Sequence, residues 1–93
     1  MARRGGLRCQ IGCQVGETGI LSAAGRHLAG WFADLLYLEG SFGTWVLQEE
    51  IVEEDIRFGR GGHAPPLLGN GLGVHVKQEA VERYCQASET ITL

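Results

Sequence analysis

The feature that most constrains this chain is a strand-like alternation that stops at a glycine-flanked turn and gives way to a helical period. Between Leu7 and Val15, the residues Leu7, Cys9, Ile11, Cys13 and Val15 fall on one side, and Arg8, Gln10, Gly12 and Gln14 on the other. That is the period of a half-buried strand, predicted over 7–15. Gly16-Glu17-Thr18-Gly19 breaks it. Ile20, Ala23, Ala24, His27, Leu28 and Trp31 then recur at spacings of three and four, which predicts a helix over 19–32. Thr18 is placed to cap this helix, because its hydroxyl can accept from a free amide of the first turn. The small residues Ala23, Ala24, Gly25 and Ala29 let the helix lie close against a sheet. The first third of the chain reads strand, tight turn, helix.

The remainder is less regular. Residues 34–45 are apolar and aromatic, are interrupted by Gly40 and Gly43, and read as irregular with a short extended piece. Residues 48–55 are compatible with a helical turn. Ile56 to Phe58 can start a strand, which Gly59–Gly62 interrupt and Pro65-Pro66 prevent from continuing as a central strand. Gly69-Asn70-Gly71 is a turn, Val74–Val76 an extended piece, and 77–86 a terminal helix with Ala80, Val81 and Tyr84 as its buried stripe.

Composition sets outer limits. At 93 residues the chain is one small domain at most, and such a domain buries only about two-thirds of its unfolded surface. Fifteen glycines are about twice the usual ~7% share and add to the entropy lost on folding. Arg3, Arg4, Arg8 and Arg26 face Glu17 alone in the first thirty residues, whereas Asp34 to Asp55 carries seven acids and no base. Four scattered arginines fall short of a nucleic-acid surface, and the single Arg-Gly-Gly at 60–62 does not change that expectation. No run approaches the ~20 apolar residues of a membrane span. Cys9 and Cys13, if on one strand, lie about 13 Å apart, too far for a disulfide. Three cysteines, an odd number, fit a reducing cytoplasm.

Glu17 is the principal candidate site residue. A carboxylate between the C-terminal end of a strand and the start of a helix stands where parallel α/β proteins assemble active sites. The same carboxylate also suits the positive end of the helix dipole, and position alone leaves both readings open. Strict alternation puts Glu17 on the side of Cys13 and Val15, and Gln14 on the other. A break at Gly16 is needed to bring Glu17 round, and Gln14 is accordingly the second candidate. Gly69-Asn70-Gly71-Leu72-Gly73 lacks the Lys-Ser/Thr of a phosphate loop. The run Glu49, Glu50, Glu53, Glu54, Asp55 reads as solvated surface rather than a metal pair. His27, His63 and His75 have no zinc-like spacing.

The stretch Gly12-Cys13-Gln14-Val15-Gly16-Glu17-Thr18-Gly19-Ile20 with the helix that follows resembles a signature of the enolase superfamily. It is similar to the end of the barrel in the mandelate racemase/muconate lactonizing enzyme family. Pro66-Leu67-Leu68-Gly69-Asn70-Gly71-Leu72-Gly73-Val74, then Val76 and the helix through Ala80 and Arg83-Tyr84, looks like that family's closing Pro-x-x-Pro-Gly-Leu-Gly-Val motif, with Asn70 where proline is common. Leu47–Val52 and Ile56–Phe58 fall where the family's chain leaves the barrel. Together the matches cover roughly Cys9 to Tyr84.

The resemblance implies an α/β fold: the last strand and helix of a (β/α)7β TIM-like barrel, plus a C-terminal segment returning to an α+β capping domain. On this pattern residues 1–33 end the barrel and 34–93 form the returning segment. The barrel is incomplete, so the chain depends on the rest of the barrel or on a homo-oligomer. The implied activity is abstraction of the α-proton of a small carboxylate substrate, giving an enolate stabilised by Mg2+. Glu17 matches the eighth-strand carboxylate that hydrogen-bonds to the substrate, and Gln14 is the substrate-binding neighbour. The base lysines and the Mg2+ ligands would lie outside this chain, whose single lysine, Lys77, sits in the closing segment. The chain alone is then expected to be inactive. A non-catalytic remnant or small interaction module is the alternative.

Overall fold

The computed structural model describes residues 1–92. After a single 3-10 turn at Ala2–Gly5, β1 spans Cys9–Ile11, with Cys9 and Ile11 half-buried and Gln10 exposed, as the alternation requires. It is far shorter than the predicted 7–15. The chain beyond Ile11 turns instead: the Glu17 amide donates to Gln14 O at 3.3 Å, and Gly16 takes φ 90°, open to glycine at little cost.

Helix α1 runs Gly19–Trp31, within one residue of expectation. Its cap differs. The Thr18 hydroxyl makes no capping bond with the described residues; the carboxylate of Glu50 accepts from Gly19 N at 2.7 Å instead. Ala23 is fully buried, but Leu28 and Trp31, expected on the inner face, are exposed. The face of α1 that is covered meets the returning segment: Arg26 donates to the carbonyls of Ile56 and Pro65, and His27 Nε2 lies 2.8 Å from Leu72 O.

The segment expected to be irregular contains a strand. β2, Leu35–Leu38, pairs parallel to β1, with Cys9 opposite Leu35 and Ile11 opposite Leu38. Parallel neighbours need a crossover connection, and α1 provides it. A one-turn helix α2, Gly43–Val46, follows. No helical turn forms at 48–55; Val52 bridges Val76 in antiparallel fashion, with Glu53 N bonded to His75 O and Lys77 N to Ile51 O. The stretch 56–58 forms no strand. The turn at 69–73 forms, closed by Gly73 N to Asn70 O at 3.0 Å. Helix α3 spans Gln78–Tyr84. Ala80 is buried, but Tyr84 is exposed and spends its hydroxyl on Glu49.

The core is thin. Among the described residues the buried hydrophobic side chains are Ala23, Val52, Ile56 and Ala80. The accessible surface is 7484 Å², against about 5300 Å² for a compact monomer of this mass. The radius of gyration is 15.1 Å, against about 12 Å for a compact chain of this length. The excess surface is apolar in large part: Val15, Trp31, Tyr37, Trp45 and Leu68 are all well exposed.

Candidate functional site

The parallel order of β1 and β2 puts both C-terminal strand ends on the same side, where α/β folds place ligands. Two carboxylates arrive there. Glu17 comes from the turn after β1, half-buried, with its Oε1 accepting from the Gln14 amide at 2.7 Å. Glu39 follows β2 directly, and its own amide donates to Ile11 O at 2.9 Å. Gly12 lies next to it: a Cβ there would make ordinary contact with Glu39 Oε2, at 3.7 Å.

Both carboxylates line one small cavity with Cys13, Ser22, Arg26 and Phe58. The turn at Gly16 folds Glu17 back to this cavity on the side of Cys13, and not round to the side of Gln14 as expected. An unbroken strand would have left Glu17 in register with Cys13 and Val15, and no turn would fold its carboxylate back onto the Gln14 amide. Gln14 takes a different position. It is exposed and borders an open apolar hollow of about 460 Å³ with Val15, Leu38, Phe42, Phe58 and Glu39. Glu39 is thus common to both spaces.

The turn that carries Glu17 is held from outside. Gly43, at the start of α2, packs so tightly under it that any side chain at 43 would overlap the Glu17 backbone. Glu50 fixes the first amide of α1 just beyond. Arg26 lies across the ring of Phe58 at 5.6 Å. Burial pushes its guanidinium below the ordinary arginine range, with Asp55 opposing that change.

Glu39 and Arg26 were not singled out from sequence. The signal for Glu39 was the apolar run Leu35–Leu38 ending in an acid, which reads as a strand once a parallel partner is recognised. The acidic run 49–55 is not simply solvated. Glu49 binds Arg83 and Tyr84, Glu54 binds His75, and Asp55 binds Arg57. Among the described residues no group of three or more His, Cys, Asp or Glu is arranged to hold a metal ion, so the residues of this chain do not by themselves fit Mg2+. All three cysteines are free, and no described helix is long and apolar enough to cross a membrane. In comparisons with known proteins, no family model, curated protein or solved structure matches the chain.

Proposed function

We propose that this chain is the C-terminal part of an enolase-superfamily enzyme of the mandelate racemase/muconate lactonizing type, acting on a small carboxylate substrate. The observation that carries the reading is the pair Glu17 and Glu39, brought to one cavity by two parallel strands joined through a helix. Barrel enzymes of this architecture draw their site residues from strand ends. The sequence resemblance from Cys9 to Tyr84 supports the same assignment.

In this reading β1 is the last strand of the barrel, and β2 lies beside it at the start of the segment that follows. The substrate lies in the open hollow bordered by Glu39, Gln14 and Phe42, and Glu17 lines the small cavity that shares Glu39 with that hollow. The Gln14 side-chain amide, and a Glu carboxyl where it carries a proton, donate to the oxygens on which charge develops as the α-proton leaves, and Phe42 packs beside the substrate. The proton itself is taken by a base outside this chain. Magnesium has no ligand set among the described residues; in the family it stabilises the enolate.

The thin core and the excess surface speak for a piece completed by further barrel strands and against the self-contained interaction module. The test is to extend the reading frame upstream of Met1 and assay the longer protein with Mg2+ in D2O against a panel of α-substituted carboxylates. Deuterium entering at the α-carbon in the longer protein, and not with the 93-residue chain, is the expected result. A 93-residue chain that melts cooperatively as a compact monomer, with no exchange in the longer protein, would overturn it.

A further inference from the structure

Between α1 and the ends of β1 and β2 lies a cavity of about 20 Å³ lined by Cys13, Glu17, Ser22, Arg26, Glu39 and Phe58. Two of these residues carry a buried polar atom with no hydrogen-bond partner among the described residues: Ser22 Oγ and Arg26 Nε. Ser22 is 8% exposed, so its hydroxyl cannot turn to bulk solvent. The rest of the arginine is already engaged, one terminal nitrogen with Ile56 O and the other with Pro65 O. Leaving buried donors unpaired costs roughly 1–3 kcal/mol each, so two in one cavity call for an occupant.

Size and polarity select it. A volume near 20 Å³ admits one water and nothing larger, and a buried water needs two to four polar partners. An anion is disfavoured by the two carboxylates, a cation by the guanidinium, and an apolar guest by all of them. We propose that this cavity is a binding site for a single water molecule that accepts from Arg26 Nε and Ser22 Oγ and donates to the carboxylates of Glu17 and Glu39. Glu17 has an oxygen to offer, since the Gln14 amide engages only Oε1. Four partners complete the tetrahedral capacity of water. The water ties the helix face to both strand ends, so the carboxylates take their orientation from Arg26 without touching it. The site stands on the cavity and its partners and holds whether or not the chain belongs to a barrel.

A crystal structure of the full chain, alone or within a larger assembly, at a resolution that shows waters is the direct test. The expected result is one ordered water within about 3.2 Å of both Arg26 Nε and Ser22 Oγ. Ser22→Thr keeps the hydroxyl and retains the water. Ser22→Val replaces it with apolar branches and loses the water. In solution, a water cross-peak to the Arg26 Nε–H proton is expected in the parent chain and in Ser22→Thr. Should Ser22→Val fail to fold, the parent and the threonine variant still decide the matter. Arg26 Nε bonded directly to either carboxylate, a dry cavity, or a water that persists unchanged in a folded Ser22→Val protein overturns the proposal.

Discussion

Glu50 holds the amide of Gly19 at 2.7 Å although 31 residues separate them. The same oxygen also accepts from its own neighbour Ile51 N at 2.7 Å. A helix start leaves amides without partners, and here the returning segment supplies the acceptor that Thr18 does not. Glu50→Ala is therefore expected to cost roughly 1–2 kcal/mol, the upper range for loss of an N-cap. Thr18→Ala should cost clearly less. Denaturant midpoints of the two variants, with hydrogen exchange at Gly19, check the ranking; a costlier Thr18→Ala would refute it.

Gly43 and Gly30 should respond in opposite ways to the same added methyl. A Cβ at Gly43 meets the backbone of Glu17, which has no flexible end to yield, whereas at Gly30 nothing lies within 4 Å. Gly43→Ala is expected to destabilise by roughly 1–3 kcal/mol and to displace the Glu17 turn. Gly30→Ala, inside α1, should be neutral or stabilising by up to about 1 kcal/mol. Thermal melts and the amide shifts of residues 14–18 distinguish the outcomes.

The pair of Glu54 and His75 gives the second half of the chain a pH window. Glu54 accepts from the His75 amide at 2.8 Å and sits 2.6 Å from its ring Nδ1. The hydrogen bond to Glu54 raises the His75 pKa above its ordinary 6.5. The bond from the His75 amide, then that from its ring, lowers the Glu54 pKa below 4.5. A raised histidine contributes stability that is complete below about 6.5 and is lost as pH climbs through the folded value. A lowered carboxylate contributes stability that is complete above about 4.5 and is lost as pH falls through its folded value. The pair thus supports the Val52–Val76 bridge most fully between those limits. His75 is exposed and Glu54 half-buried at the surface, so the effect is small. Melting temperature followed from pH 4 to 9 in the parent and in Glu54→Gln should show the plateau only in the parent.

On the proposed function, Glu17→Gln in the upstream-extended protein should retain more α-proton exchange than Glu17→Ala, because the amide keeps a hydrogen-bonding group at the same reach. The alanine variant is expected to lose about 100-fold or more, the scale for removing one group that stabilises developing charge. Glu39→Ala should fall in the same range. Equal losses for Gln and Ala at position 17 would remove Glu17 from a hydrogen-bonding role.

The helix at 19–31 was legible because its period is local and its boundaries are marked by Gly19 and Phe32. The strand was not legible beyond its centre. Alternation from Leu7 to Val15 records which residues can face a core, but the length of a strand depends on a partner, and β2 is only four residues long. β2 itself was hidden because Leu35 to Leu38 is apolar throughout, a pattern that fits a parallel strand as well as an irregular apolar stretch. Glu17 could be named from the turn alone. Glu39 and Arg26 join it only through pairing across 26 residues of chain and through the return of the segment around Ile56. Likewise Glu49, Glu50 and Glu54 looked solvated because their partners, Arg83, Gly19 and His75, are far away in sequence.

The fastenings of α1 also set an order of events. Its first amide waits for Glu50, Arg26 waits for the carbonyls of Ile56 and Pro65, and His27 waits for Leu72. During synthesis at roughly 5–20 residues per second, the last of these emerges some 2–8 s after the helix itself. For that interval the helix is a loose segment, with Ala23, fully buried in the folded chain, still open to whatever meets a nascent chain first.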